Sequence, residues 1–363
     1  MQGGYFGMSR ETPYFVMHEQ KLMQNIERLQ EIERRAGVHI LHTLKSFNQS
    51  SVLSIIAEKL SGMSIASKKE LELAQSAKAK HLHLYAPAFK FSELKAMSEQ
   101  IETLSLNSLA QFEASKGLNC SKGLRINPKL HLPIPNHCNP NLHTSRLGLD
   151  GGEFLEYYQE NRESFNELEG LHFHALFQSS EQGLIILLEH IVANFKELLP
   201  KLKWLNLGGG HNFTDLNYNI DSFCKEVDKF KKLYPNIELY FEPGESETKG
   251  CGEFVCTVLD IVNIGGQQVA ILDTSVETHL LDVAIVNMRL KVKGTQSNST
   301  PYCYELAGNS CMQGDYIGEY FFKYELEIGS EIIFEDMMGY TMVKMTEFNG
   351  MDSADFYLKV PLS

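Results

Sequence analysis

Apolar residues recur along this chain in two rhythms, and the change comes near Pro243. Before it, short apolar runs alternate with stretches whose apolar residues return every three or four positions. The runs VHILHTL (38–44), GMSIA (62–66), HLHLYA (81–86), IETLSLN (101–107), GLRIN (123–127), GLHFHAL (170–176), WLNLGGG (204–210) and IELYFEP (237–243) predict strands. The segments EQKLMQNIERLQEIERRA (19–36), SVLSIIAEKL (51–60), KKELELAQSAKA (68–79) and GLIILLEHIVANFKELL (183–199) predict amphipathic helices. Strands mostly separated by helices imply parallel neighbours, because parallel pairing needs long crossovers. Eight such units predict a closed (β/α)8 TIM-type barrel.

After Pro243 the texture is that of a β-sandwich or β-barrel domain of about 100 residues. EFVCTVLDIVNI (253–264), QQVAILDTS (267–275), IVNMRLKV (285–292), SEIIFEDM (330–337) and YTMVKMTEF (340–348) all read as strands. GTQSNSTP (294–301) reads as a polar, mobile loop. The stretch 127–146 holds four of the eleven prolines and predicts a long irregular loop.

Composition narrows the function. With 363 residues, of which 43% are hydrophobic, the chain can build two domains, or a barrel and a smaller partner. No run of 18 apolar residues suggests a membrane span, and the start lacks the basic-then-apolar pattern of a secretory signal. Seven scattered cysteines with no CxxC pair read as reduced cytosolic thiols. A net charge of −13 disfavours nucleic acid and favours cationic ligands such as small amines, although it also serves plain solubility.

Barrel chemistry sits at the carboxyl ends of the strands. There the chain places Lys45, Tyr85, Asn107, Arg125, Asn127, His172, His174, Gly208, Gly209, Gly210 and Glu242. The triple glycine offers bare backbone N–H groups to a phosphate, or serves only as a tight turn. Lys45 either pairs with a carboxylate or, with its pKa lowered by burial, forms an imine with an aldehyde. Together, a mouth lysine, a phosphate cradle and a rim carboxylate suggest pyridoxal phosphate, with Glu242 on the ring nitrogen. His172 and His174 also permit a metal hydrolase, since alternate strand residues share a face.

At this point the chain resembles the fold-type III pyridoxal-phosphate decarboxylases, the group of ornithine and diaminopimelate decarboxylases. Within it the similarity is to the branch acting on carboxynorspermidine or carboxyspermidine. The matching stretches run in order from TPYFV (12–16) through HTLKSF (42–47), YAPAFK (85–90), GLRINP (123–128), GLHFHAL (170–176), WLNLGGGHN (204–212) and EPGE (242–245). They continue through ILDTS (271–275), CMQGDYIGEY (311–320), FEDMMGYTMVK (334–344) and TEFNG (346–350).

The resemblance implies a barrel over 21–250 and a β domain over 251–363, with 1–20 joining the latter. It implies that Lys45 carries the cofactor, His174 stacks on its ring, Gly208 to Gly210 and Tyr340 hold its phosphate, and Glu242 holds its nitrogen. Arg125 joins the cofactor set, and no metal is implied. Cys311 and Asp315 would cross a head-to-tail homodimer, with Cys311 or Lys45 as proton donor. Glu245, Asp282 and Asp315, with His279 and Asp273, would bind a small cationic, carboxylated polyamine.

Relatives commonly read Glu-Pro-Gly-Arg where this chain has Glu245, and an acid there suits an amine rather than a second carboxylate. HLLD (279–282) stands where HMPD is expected, and Phe177-Gln178 where Cys-Glu is expected. Another decarboxylase or a racemase of the same type, and a regulator without activity, are the other readings.

Overall fold

The computed structural model describes residues 10–297 and 300–361. The first nine residues, and two residues of the loop predicted over 294–301, lie outside the described part. The chain forms two compact units, one of Gln24–Glu247 and one of the residues up to Met23 with those from Thr248 onward.

In the first unit eight parallel strands close on themselves. They are His39–Thr43, Gly62–Ile65, Leu82–Tyr85, Thr103–Leu106, Ser121–Asn127, Leu168–His172, Trp204–Asn206 and Glu238–Phe241. Each pairs with the next, and the eighth pairs with the first, so no edge is left open. Helices whose periodicity was legible lie at Glu19–Ala36, Ser50–Lys59, Lys68–Ser76 and Glu181–Phe195. Four more, at Phe91–Ser98, Leu109–Ala114, Gly151–Glu160 and Ile220–Leu233, complete the crossovers. Several begin at a polar cap: Ser67, Ser108, Asp150, Ser180 and Asn219 each accept an orphan backbone N–H of the first turn.

The barrel interior departs from the usual filling of branched aliphatics. In the fourth strand Thr103 and Ser105 bond to His83 of the third, while the alternate Leu104 and Leu106 are fully buried on the opposite face. The floor is the single tryptophan, Trp204, whose indole N–H donates to Ser121 Oγ at 2.8 Å. Gly123 and Gly170 make room for it: a Cβ on Gly170 would lie 2.0 Å from the indole ring.

The second unit is one nine-stranded sheet. Gly252–Ile264 and Gln267–Leu272 form a hairpin across Gly265 and Gly266, both at positive φ, as a two-residue turn of matching twist requires. Tyr14–His18 enters this sheet between Gly252–Ile264 and Asp355–Lys359.

Two predicted strands are corrected. IVNMRLKV contains the end of a helix, Leu281–Val286, and only Lys291–Val292 is strand. YTMVKMTEF opens as a helical turn, Tyr340–Val343. One carboxylate explains the second change: Thr341 Oγ1 bonds Asp282 Oδ2 at 3.2 Å and the Lys344 ammonium pairs with Asp282 Oδ1. Residues three apart share a face in a helix but not in a strand.

Gly170→Ala drives a methyl into Trp204 and is expected to cost about 1–3 kcal/mol. Urea unfolding of the variant should show a lower midpoint; an unchanged midpoint contradicts the packing described.

Candidate active site

Lys45 stands one turn beyond the first barrel strand, and that turn is tightly held. Ser46 donates its N–H and its hydroxyl to Thr43 O at 3.0 and 2.6 Å. His42 Nε2 bonds Phe47 O at 2.9 Å from behind. The other ring nitrogen of His42 lies 3.4 Å from Glu247 Oε1, and both side chains are wholly buried. The Lys45 side chain is accessible to solvent, yet protein surrounds it closely. Burial lowers its pKa; Glu242 opposes this, Arg125 adds to it, and Glu70 opposes it weakly. Glu70 is itself raised by burial, while its Oε2 accepts Ala66 N–H at 2.6 Å.

Glu242 follows the eighth strand and is buried. Its Oε1 accepts the Asn206 side-chain N–H at 2.6 Å. The Asn206 amide is oriented without ambiguity, because its oxygen accepts Gly208 N–H at 2.9 Å. Around the carboxylate lie His83 Nε2 at 3.8 Å and His172 Nε2 at 4.0 Å. His172, His174 and Glu242 place donor atoms within 4.8 Å of one another, the one such group among the described residues with metal-compatible spacing. His174 lies just past its strand, which ends at His172.

The triple glycine is wedged between two backbones. A Cβ on Gly208 would sit 2.7 Å from His174 Cα, on Gly209 2.4 Å from Glu242 O, and on Gly210 2.1 Å from Leu176 O. Gly208 and Gly210 also have φ of +66° and +88°, which disfavour any side chain. Two of the three N–H groups are already used: Gly208 donates to Asn206, and Gly209 donates to His174 Nδ1 at 3.2 Å. Gly210 N–H has no acceptor among the described residues. The Gly209 bond fixes His174 as an Nδ1 acceptor, and burial keeps its pKa far below the usual range, so the ring is neutral.

Arg125 lies 4.5 Å from the centre of the Tyr85 ring, and Tyr85 donates its hydroxyl to Asn107 Oδ1 at 2.8 Å. Burial lowers the Arg125 pKa and raises that of Tyr85. Glu245 is exposed after the eighth strand.

The remaining predicted residues lie in the second unit. Asp273 accepts Thr257 N–H at 2.7 Å and the Thr12 hydroxyl at 2.5 Å. His279 is bonded through both nitrogens, to Thr274 Oγ1 at 2.9 Å and to Asp352 O at 3.0 Å. Asp315 accepts Val276 N–H, Ser310 N–H and the Ser310 hydroxyl at 2.8, 3.0 and 2.6 Å. Asp282 is paired with Lys344, which also lies 5.2 Å from the Tyr340 ring centre. Within one chain these four side chains organise their own loops. Cys311, on the loop held by Asp315, is exposed.

Sequence reasoning passed over Asn206, His83, Ser105 and the pair of His42 and Glu247. A signal existed for His83: polar residues at 81, 83 and 85 of one strand point the same way.

A lysine freed of part of its proton affinity, a buried acceptor carboxylate, a flat neutral imidazole and an unused backbone N–H fit pyridoxal phosphate group by group. Comparison with known proteins agrees. Residues 20–248 match the family model described as pyridoxal-dependent decarboxylase, pyridoxal binding domain. The carboxynorspermidine/carboxyspermidine decarboxylase of Campylobacter jejuni is 35% identical, over 94% of this chain and 91% of that protein. The carboxyaminopropylagmatine decarboxylase of Synechocystis is 32% identical, over 94% and 88%. The crystal structure of C. jejuni carboxynorspermidine decarboxylase complexed with norspermidine superposes with a TM-score of 0.88 at 33% identity, covering 97% of this chain and 95% of that one.

Replacing His42 by Leu leaves the Glu247 carboxylate buried without its imidazole neighbour. The expected loss is about 1–3 kcal/mol, since leucine can neither bond Phe47 O nor face the buried carboxylate with a polar atom. Chemical denaturation measures it; a loss below about 1 kcal/mol contradicts the pairing.

Proposed function

Because the chain belongs to the pyridoxal-dependent decarboxylase family, we propose that it removes the α-carboxylate of carboxynorspermidine or carboxyspermidine, releasing CO2 and the corresponding triamine. The observation that carries the substrate class is Glu245, an exposed acid on the same rim as Lys45 and Glu242. Its charge suits the ammonium groups of a polyamine tail and opposes the second carboxylate of diaminopimelate.

Pyridoxal phosphate, when bound, supplies an electron sink for the charge left as the carboxylate departs. The chain's residues do the rest. Lys45 would hold the aldehyde, and its lowered pKa suits it to this by leaving more free base near neutrality. Glu242, aimed by Asn206, would accept the N–H of the ring nitrogen and so favour its protonated form. His174, neutral and fixed through Nδ1, offers a flat face that adds no charge beside the ring. Gly210 would give its N–H to the phosphate, and Arg125 adds positive potential near Glu242.

We further infer a cytoplasmic homodimer with shared active sites, supported by the free cysteines and by the family resemblance. No helix among the described residues is long and apolar enough to cross a membrane. In this arrangement Cys311, exposed at its loop tip, reaches the partner's site as proton donor, and Asp315 holds the loop that carries it. Asp282, Asp273 and His279 then shape the substrate end of the site through the bonds described above.

Lys45→Ala should abolish turnover, and borohydride reduction of the coloured wild type should leave its label on Lys45 alone. Label on another lysine defeats the assignment. Cofactor attachment to the apo protein, followed by absorbance, should rise with pH and level off below the ordinary lysine range, since a depressed pKa exposes the free amine earlier. Glu245→Gln should raise KM for carboxynorspermidine about tenfold, the low end for hydrogen bonds to charged groups because the residue is exposed. Assay beside carboxyspermidine, carboxyaminopropylagmatine and diaminopimelate identifies the substrate; preference for diaminopimelate would refute the polyamine reading.

A further inference from the structure

The barrel interior below Glu242 holds a chain of alternating imidazoles and hydroxyls that the reaction as described does not use. His81 Nε2 meets Thr103 Oγ1 at 3.0 Å, and Thr103 Oγ1 meets His83 Nδ1 at 2.8 Å. His83 Nε2 meets Ser105 Oγ at 3.0 Å, and Ser105 Oγ meets His172 Nδ1 at 3.2 Å. His172 Nε2 is buried without a hydrogen-bond partner and faces Glu242 Oε2 across 4.0 Å. At the other end, His81 stacks on Tyr240 and lines a cavity of about 380 Å³ with Lys59 and Lys80.

We propose that His81, Thr103, His83, Ser105 and His172 form a one-way hydrogen-bond relay that presents imidazole N–H donors to Glu242 and so positions it for the cofactor's ring nitrogen. The direction follows from working back from the acid. The negative charge of the Glu242 carboxylate, 4.0 Å from His172 Nε2, favours a proton on that nitrogen. A neutral His172 then accepts at Nδ1, and only the Ser105 hydroxyl can supply that proton. Ser105 in turn accepts from His83 Nε2–H, which leaves His83 Nδ1 to accept from the Thr103 hydroxyl. Thr103 accepts from His81 Nε2–H, and every link is satisfied in one sense. Burial supports the neutrality this requires: it lowers His83, lowers His172 far below its usual value, and brings His81 to about 4. Both Nε2–H groups, 3.8 and 4.0 Å from the carboxylate, act on it through space rather than by hydrogen bonds. Thr103, four links from the acid along the relay, is therefore a positioning residue, as are His81, His83 and Ser105.

What Glu242 holds rests on the decarboxylase reading; the relay does not. The test uses the full chain with ¹⁵N-labelled histidine, where ring nitrogen shifts report each tautomer, and the holoenzyme absorption spectrum beside it. In the wild type, His83 and His172 should both be Nε2–H. Thr103→Val removes the hydroxyl at constant shape and should move the His83 Nδ1 shift to that of a ring nitrogen without a donor, while Nε2 stays protonated toward Ser105. It should also diminish the band of the ring-protonated cofactor and lower kcat about tenfold, the low end for outer partners that orient a functional histidine, with KM unchanged. Thr103→Ser should restore all three. A role confined to packing lowers stability but leaves the ring nitrogen shifts and the spectrum alone. An Nδ1–H form of His172, which a metal on Nε2 would select, overturns the relay. So does a folded Thr103→Val protein whose His83 Nδ1 shift is that of the wild type. If that variant does not fold, the wild-type tautomers decide by themselves; if the wild type takes up no cofactor, the decarboxylase reading fails while the tautomers still judge the relay.

Discussion

The side-chain amide of Asn206 holds the site together. Its nitrogen donates to Glu242 and its oxygen accepts from Gly208, so one planar group sets both the acid at the mouth and the start of the glycine turn. The amide can do this because Asn206 ends the seventh strand, between the sixth and the eighth, and because its two ends have opposite hydrogen-bonding character. An aspartate there would repel Glu242, and a leucine would leave both a buried carboxylate and a buried N–H without a partner.

Close approach is the second constraint. The glycine turn is pressed between the segment after the sixth strand and the backbone of Glu242, which is why three side chains are absent in a row. That squeeze brings Gly209 N–H onto His174, fixing the tautomer of that ring, and leaves Gly210 N–H as the donor without an acceptor among the described residues. At the other end of the barrel, missing side chains at Gly123 and Gly170 admit Trp204. Above this floor the interior turns polar, which is tolerable only because its hydroxyls and imidazoles bond to one another.

Burial then sets the chemistry of the groups at the mouth. The same loss of solvation lowers the proton affinity of Lys45 and keeps His172 and His174 uncharged. A neutral lysine is a nucleophile, and neutral imidazoles can act as tautomer-fixed partners rather than competing cations. Asp273, His279, Asp282 and Asp315 show the opposite outcome: polar groups of one unit, each satisfied locally, that shape loops within their own chain.

The strand rhythm, the glycine run and the positions of Lys45, His174 and Glu242 were all legible in the chain, because period-two alternation and strand ends are local properties. Helices such as Gly151–Glu160 and Ile220–Leu233 were less so, and YTMVKMTEF misled, because Asp282, distant in sequence, draws Thr341 and Lys344 to one face. Which glycine N–H remains available, which way Asn206 is turned, and how His83 joins Ser105 depend on strands meeting across the barrel. Sequence by itself determined which groups reach the mouth, through the register of each strand. Tertiary structure alone decided which of them are already bonded and how little water surrounds them, since both depend on neighbours tens to hundreds of residues away.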